Sequence, residues 1–265
     1  MQHLNIRRAV AAVAAATLVA TAALPTHAQP ARSPAGDIWA TRDQWQRVPE
    51  ILTALGAAPG QRIADIAAGQ GFLTRPLSRR VGRSGRVFAV EISEDARRAL
   101  IELAERGTLG NVEVVAGTES DPRIPGPIDG AVVLNAYHEM ADHATMLEAI
   151  RNALRPGGLL VMVDNTNLGA WAGSRREQVS HHSIDPAFVE AELRAAGFEI
   201  AARQDEFIVQ PIRQWLIVAR RPARLRSAAK DPDGQSTSPP LTGVGILLAW
   251  VVPSPSWPPP LAPQQ

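Results

Sequence analysis

The sequence contains no cysteine and only one lysine, Lys230. The first absence excludes disulfides, thiolate metal ligands and cysteine nucleophiles within these 265 residues. The formal net charge is +1, and no run of basic residues stands out. Because a dedicated nucleic-acid binder usually carries a basic patch or stripe, this charge pattern argues against nucleic acid as a partner.

A hydrophobic run long enough for a comfortable membrane span is also missing. The first residues instead follow the order of a secretory signal, with Arg7 and Arg8 before an apolar, Ala-rich run over 9–24. Residues 26–28, Thr-His-Ala, fit a small-x-small cleavage site. We therefore expect a signal peptide over 1–28 and a periplasmic or secreted mature protein. An uncleaved anchor and a wrongly assigned start codon are the alternatives.

The rest of the chain divides by composition into three parts. Residues 29–40 contain Pro, Gly and Ala and are expected to form a linker. Residues 41–222 alternate between apolar strand-like and helical segments and are expected to fold as one domain. Residues 223–265 are rich in Pro and Ser, a composition typical of disorder or polyproline structure. We expect this tail to be disordered, with a docked apolar segment as the alternative.

Strands and helices alternate along the predicted domain, which indicates an α/β fold with a parallel sheet covered on both faces. The last two strands have no helix between them, so we expect a Rossmann-like, doubly wound, mostly parallel sheet with an antiparallel last strand. The predicted helices are 42–55, with a kink or restart at Pro49, 72–81, 94–106, 144–154 and 185–196. The predicted strands are 62–66, 86–91, 112–116, 128–134, 159–163, 198–202 and 215–220.

The first predicted strand leads into a turn of small residues that contains Gly69 and Gly71. Such a turn lets backbone N–H groups approach a ligand closely, where larger side chains would block it. Glu91 closes the second strand, at the offset from the glycines that is expected of the acid in a nucleoside-binding α/β fold. Its carboxylate can accept hydrogen bonds from both ribose hydroxyls.

Two details argue against a dinucleotide as the ligand. The spacing is Asp-x-Ala-x-Gly-x-Gly, which differs from the Gly-x-Gly-x-x-Gly of dinucleotide folds. Asp65 also stands at the end of the first strand, where its charge would repel a pyrophosphate. A cationic ligand without phosphate suits this acid better, and S-adenosylmethionine, with its sulfonium and ammonium groups, is such a ligand.

At these residues the chain resembles the class I S-adenosylmethionine-dependent methyltransferases. It is most similar to a bacterial group of small predicted methyltransferases with signal peptides, over about residues 40–222. The motifs that carry the resemblance are residues 64–71, 89–92, 121–125, 135–139, 154–158, 163–164, 181–185 and 196–198. The main departure is Ala67, where the family usually has glycine. A positive φ at that position would cost alanine about 1 kcal/mol.

The resemblance implies S-adenosylmethionine as the cofactor and a set of residues that hold it. Ile92 would cover the adenine, Thr118 and Glu119 would border it, and Asn135 would lie near the methionine moiety. The predicted cofactor-binding residues are Asp65, Ala67, Gly69, Gly71, Glu91, Ile92, Thr118, Glu119 and Asn135. The span 165–184 leaves room for only a modest lid, so we expect a small-molecule acceptor. The sequence carries no signal for an oligomeric state.

His138 follows the fourth strand and is the candidate catalytic base, needed only if the acceptor carries a proton at neutral pH. The alternative is that His138 braces its loop through Glu139 or the backbone. His138 and His143 are spaced i and i+5 and do not share a helix face, so no metal site is predicted there. His181 and His182 are interpreted as a polar loop in preference to a second ligand pair.

Three functions follow from these patterns. The first is a methyltransferase that uses S-adenosylmethionine. The second is a non-catalytic nucleoside-binding module on the same fold, and the third is a zinc-dependent hydrolase. Binding of S-adenosylmethionine separates the first two from the third.

Overall fold

The computed structural model of the protein describes residues 41–107, 109–166 and 173–223. The predicted signal peptide (1–28) and linker (29–40) lie outside the described residues, as does the predicted tail from residue 224 onward. Among the described residues, no helix is both long and apolar enough to cross a membrane.

In the part of the chain that the structure describes, seven strands form one sheet in the order β3-β2-β1-β4-β5-β7-β6. All neighbours pair in parallel except β7, which runs antiparallel to β5 on one side and to β6 on the other. The strands are β1 Arg62–Ile66, β2 Arg86–Glu91, β3 Val112–Ala116, β4 Ile128–Leu134, β5 Leu154–Asn165, β6 Glu199–Ile208 and β7 Gln214–Arg220. The predicted fold, a mostly parallel Rossmann-like sheet with an antiparallel last strand, is confirmed.

Helices connect the strands and cover both faces of the sheet. They are α1 Arg42–Trp45, α2 Val48–Ala54, α3 Thr74–Val81, α4 Glu94–Arg106, α5 His143–Ala153, α6 Arg175–Val179 and α7 Pro186–Ala195. A 3-10 turn, Tyr137–Glu139, follows β4. Local capping explains several starts: the Ser93 side chain accepts from the Ala96 N–H before α4, and that of Asp185 accepts from the Ala187 N–H before α7.

The core consists of apolar layers on the two faces of the sheet. Alternate residues of a strand point to opposite faces, so Leu160 and Met162 pack with α5 and α7, whereas Val161 and Val163 pack with α2 and α3. The central strands are buried on both sides, which explains why they are almost continuously apolar in sequence.

One predicted helix is two helices in the structure. The expected kink or restart at Pro49 is wrong in position, because the break falls at Gln46 and Arg47, between α1 and α2. Arg47 has a left-handed backbone with φ 53°. Pro49 lies in the first turn of α2. Backbone N–H groups in the first turn of a helix have no partner within the helix, so a proline costs no hydrogen bond there.

Other boundaries differ because pairing extends strands beyond their apolar residues. β5 begins at Leu154, before the Pro156-Gly157-Gly158 turn that was expected to precede the strand. β6 continues to Ile208 across two register shifts against β7, well past the predicted end at Ala202. These polar extensions carry no periodic apolar signal, so sequence patterns did not identify them.

Candidate functional site

The sheet order reverses between β1 and β4, and a cleft of about 690 Å³ opens at the carboxyl ends of these strands. This is the switch point at which open α/β sheets bind their ligands. The cleft takes its lining from the ends of β1, β2 and β4, from the loops that follow β1, β2, β3 and β4, and from α1 and α5. Its lining includes eight of the nine predicted cofactor-binding residues, namely Asp65, Ala67, Gly69, Glu91, Ile92, Thr118, Glu119 and Asn135.

The turn after β1 forms one wall of the cleft. Ala67 has φ 54° and Gly69 has φ 55°, so the chain is left-handed at both residues. The positive φ that the sequence analysis considered for Ala67 is therefore present. Gly71 is not part of the lining. It is required for packing instead, because a Cβ at this position would lie 2.3 Å from a methyl carbon of Leu103. Glycine at 71 lets α4 pack closely against this turn.

Asp65 is a buried acid at the floor of the cleft, with 3% of its surface exposed. Its Oδ2 accepts a hydrogen bond from Thr74 Oγ1 at 2.6 Å. Burial raises the pKa of Asp65 to about 7, with Glu91 adding to the rise, while Thr74 and the charge of Arg42 oppose it. The cleft thus holds a carboxyl group whose ionised form would be stabilised by a bound cation.

Glu91 binds backbone amides of the turns that follow β1 and β2. Its Oε2 accepts from the Gly69 N–H at 2.8 Å, and its Oε1 accepts from the N–H groups of Ile92 and Ser93 at 2.8 and 2.9 Å. A carboxylate has about four lone-pair positions, and three are used here. One position remains for a ligand hydroxyl, so a second ribose hydroxyl would have to displace one of these three bonds.

Asn135 presents an unsatisfied donor to the cleft. Its Oδ1 accepts from Gln214 Nε2 at 2.7 Å, and Gln214 Oε1 in turn accepts from Gln46 Nε2 at 2.6 Å. This arrangement fixes the orientation of the Asn135 amide. Its Nδ2 is buried and has no hydrogen-bond partner among the described residues. A buried N–H without a partner is costly, and a ligand oxygen in the cleft would satisfy it.

The predicted adenine side of the cleft carries an exposed apolar side chain. Ile92 lines the cleft with 56% of its surface exposed, beside Thr118 and Glu119. A large apolar group at the mouth of a cleft can cover the flat face of a ring, which is the role expected of Ile92.

Sequence patterns missed several residues of the lining. Arg42 in α1 lies in the cleft, with its Cζ 4.4 Å from the centre of the Phe72 ring. Burial lowers the pKa of Arg42 to about 10, against the opposing charge of Asp65. Met140 and Met146 complete the apolar side. Arg42 comes from a helix before β1, and no local motif connects it with the strand ends.

His138 does not line the cleft. Its side chain is 4% exposed, and its Nδ1 lies 2.7 Å from Oδ1 of Asp164, whose Oδ2 accepts from the His138 N–H at 3.0 Å. Burial lowers the pKa of His138, but Asp164 and Glu139 outweigh burial and raise it above 6.5. These contacts are those of a braced loop. The role of His138 as a catalytic base stays a prediction.

Tyr137, the only tyrosine of the chain, is a core residue. Its hydroxyl donates to Glu192 at 2.6 Å, away from the cleft lining. Burial, with the negative charge of Glu192, raises the Tyr137 pKa above its usual range.

Part of the chain is similar to known methyltransferases. Residues 63–158 match the family model described as a methyltransferase domain. S-adenosylmethionine is the cofactor that this match implies. A ubiquinone/menaquinone biosynthesis C-methyltransferase (UbiE) of Shewanella sp. strain ANA-3 is 30% identical over 122 residues. The match covers 45% of this chain and 48% of that protein, so the chain spans about half the length of the curated relatives it matches.

Solved structures share the fold. A SAM-dependent methyltransferase from Aquifex aeolicus superposes with a TM-score of 0.58 at 22% identity, covering 68% of this chain and 92% of that chain. The [4+2]-cyclase SpnF superposes with a TM-score of 0.56 at 16% identity, over 67% and 81% of the two chains. Proteins that share this fold are therefore named for different activities, methyl transfer in one case and cyclisation in the other.

Proposed function

We propose that this protein is an S-adenosylmethionine-dependent methyltransferase that acts on a small-molecule acceptor. The observation that carries the proposal is the buried Asn135 Nδ2, a donor without a partner among the described residues, on a residue that lines the same cleft as Asp65 and Glu91. These groups offer a donor, a buried acid and an acceptor at the ends of three adjacent strands. S-adenosylmethionine has an oxygen, a cation and a hydroxyl that complement them.

The residues present fit the cofactor one by one. Asn135 would donate to an oxygen of the methionine carboxylate, and the positive charge of Arg42 favours the same group. Asp65 would stabilise the ammonium or sulfonium, and Glu91 would accept one ribose hydroxyl. Ile92 would cover the adenine. Bound in this way, the cofactor supplies an electrophilic methyl group.

The protein's part in such a reaction is alignment. Methyl transfer is an in-line displacement, and much of the acceleration comes from holding the nucleophile, the methyl group and the leaving sulfur in one line. Side-chain hydrogen bonds of 2.6 and 2.7 Å in the series Gln46–Gln214–Asn135 hold Asn135 in place in the cleft wall. The apolar side, with Met140 and Met146, would exclude water from the acceptor.

A small acceptor is supported by the size of the cleft. Its volume of about 690 Å³ lies within the range of small-molecule sites, about 300–1,000 Å³, and the cofactor would take part of it, which leaves room for only a small acceptor. The curated relative is named as a methyltransferase of quinone biosynthesis, which is also chemistry on small molecules.

The test is the release of S-adenosylhomocysteine. The chain is incubated with S-adenosylmethionine and fractions of the small-molecule pool of its host, and S-adenosylhomocysteine is measured by mass spectrometry. We expect at least one fraction to give product, and Asp65→Asn to lower the amount at limiting cofactor. The exposed acid Glu105, changed to Gln, is the matched control and should have no effect.

The rival function is a nucleoside-binding module without turnover. The fold alone does not imply methyl transfer, since a structure named as a [4+2]-cyclase shares it. Tight cofactor binding with no product from any fraction would favour the module over the enzyme.

We also propose that the protein is exported, on the signal-like order of residues 1–28. The expected mature N-terminus is Gln29. N-terminal sequencing of the protein from fractionated host cells tests this, and an intact Met1 in the cytoplasmic fraction would contradict it.

A further inference from the structure

Beside the cleft, the structure brings three potential metal ligands together: the neighbouring residues His138 and Glu139, and His182 from a later loop. One ligand atom each from His138, Glu139 and His182 lies within 4.8 Å of the others. Glu139 Oε1 is 3.6 Å from His138 Nε2 and 3.9 Å from His182 Nδ1. The two imidazole rings are nearly perpendicular, with centroids 5.8 Å apart. We propose that these three side chains bind one divalent transition-metal ion, with Zn²⁺ the best candidate.

The donor set supports this class of metal. Imidazole nitrogens suit zinc and its neighbours, and two histidines with one carboxylate form a recurring three-ligand site. Zinc bonds of about 2.0–2.2 Å place tetrahedral ligand atoms about 3.3 Å apart. The observed separations, 3.6 and 3.9 Å to Glu139 and no more than 4.8 Å between the two histidine atoms, therefore have to shorten by about 1.5 Å or less. Glu139 and His182 are 65% and 78% exposed and can make these movements.

Asp164 supplies the partner that a metal-bound histidine usually has. Its Oδ1 lies 2.7 Å from Nδ1 of His138, and it also accepts from the Asn165 N–H at 2.7 Å. With Nδ1–H donated to Asp164, the free lone pair of His138 is on Nε2, the atom that faces Glu139. A carboxylate on the far nitrogen fixes both the tautomer and the direction of the ring. Because His138 is 4% exposed, this ligand is held rigidly before any metal arrives.

The proposed site lies at the edge of the cofactor cleft, because Glu139 also belongs to the cleft lining. Three protein ligands leave at least one coordination position for water or an oxygen ligand. Metal on Nε2 would also remove the lone pair that a base needs, so metal binding and proton acceptance by His138 exclude each other. His143 has no part in the cluster: its Nε2 lies 3.2 Å from Glu192.

The test measures metal binding directly and needs neither S-adenosylmethionine nor an acceptor. The full chain, without a histidine tag and treated with chelator, is titrated with Zn²⁺ against a chromogenic chelator. We expect one equivalent to bind. His182→Ala and Glu139→Gln should each weaken binding by more than tenfold, and Asp164→Asn by about 10–100-fold. His181→Ala, at the exposed neighbour of His182, is the matched control and should leave affinity unchanged.

Cobalt gives a second readout of the same site. Co²⁺ bound by nitrogen and oxygen ligands in low coordination gives visible absorption bands, which we expect in the wild type and in His181→Ala but not in His182→Ala. Both exposed ligands can be changed without opening the core, so circular dichroism should be unaltered. The proposal would be overturned if the wild type bound no stoichiometric Zn²⁺, or if His182→Ala and Glu139→Gln bound Zn²⁺ with the affinity of the wild type.

Discussion

At the scale of single residues, the cleft combines several energetically unfavourable features: a buried acid, a buried donor without a partner among the described residues, and a left-handed alanine. Asp65 is a buried carboxyl with its pKa raised to about 7, and Asn135 Nδ2 is a buried donor without a partner among the described residues. Ala67 has a left-handed backbone that suits glycine better. Each is unfavourable in the folded protein alone, and such features cluster where ligands bind.

Asp65 makes cofactor affinity depend on pH. With a pKa of about 7 it is partly protonated near neutrality, and a cationic ligand favours the ionised form. The protonated fraction falls as the pH rises, so we expect S-adenosylmethionine affinity to increase from about pH 6 to about pH 8 and then level off. Calorimetric titrations across this range measure the change.

Asp65→Asn is the comparison, because asparagine keeps the shape and an acceptor for Thr74 but does not titrate. The ligand's own groups ionise equally in both titrations. The same pH dependence in both proteins would show that Asp65 does not contact the cationic part of the ligand.

Ala67→Gly should stabilise the protein. It relieves about 1–2 kcal/mol of left-handed strain and costs about 0.4–1 kcal/mol through the greater freedom of the unfolded chain. We expect a net gain of up to about 1.5 kcal/mol in the free energy of unfolding, measured by denaturant titration. Ala68, the buried neighbour without a positive φ, is the control, and Ala68→Gly should destabilise. The strain argument would be contradicted if Ala67→Gly lowered the free energy of unfolding as much as Ala68→Gly does.

At the scale of elements, a chain of amides connects three parts of the fold that are distant in sequence. Gln46 follows α1, Gln214 begins β7 and Asn135 follows β4, and their side chains hydrogen bond in series. Gln214 also donates to Asn165 Oδ1 at 3.0 Å, at the end of β5. The first helix thereby helps to position a donor in the cleft.

Gln214→Leu tests this connection without changing a residue of the cleft lining. Asn135 Oδ1 would lose its donor, and the amide could rotate away from the ligand. Leaving a buried polar group unpaired costs about 1–3 kcal/mol, so S-adenosylmethionine affinity should fall about fivefold to a hundredfold.

Gln178 is the matched control because it is also a buried glutamine, bonded to Gly173 and Asp185 outside the cleft. Gln178→Leu should lower thermal stability and leave cofactor affinity unchanged. Equal affinities in wild type and Gln214→Leu would show that Asn135 is oriented by other contacts.

Elements with strong local signals could be predicted from the sequence, and others could not. β1, β2, β3, β4 and α4 have the predicted bounds, because each combines an apolar or amphipathic pattern with a clear turn or cap. β6 extends by pairing with β7, and the break before α2 depends on the backbone of Arg47. Tertiary pairing and a single left-handed residue leave no periodic signal.

At the scale of the whole molecule, the order of strands made most of the cleft predictable. Parallel strands deliver their carboxyl ends to one edge, so Asp65, Glu91 and Asn135 could be assigned to one site from their positions after β1, β2 and β4. Arg42 and the proximity of His182 to Glu139 depend on where a preceding helix and a late loop pack. Neither arrangement follows from spacing in the sequence.

The most direct test of the account is a calorimetric titration of S-adenosylmethionine into the full chain. The account predicts one site, with S-adenosylhomocysteine binding at the same site in competition. Asp65→Asn should lower the affinity for S-adenosylmethionine by about tenfold to a hundredfold, because a hydrogen bond or ion pair to a charged group contributes about 1.5–3 kcal/mol. Glu105→Gln should bind like the wild type. Absence of binding by both ligands, or an unchanged affinity in folded Asp65→Asn, would contradict the assignment of this cleft.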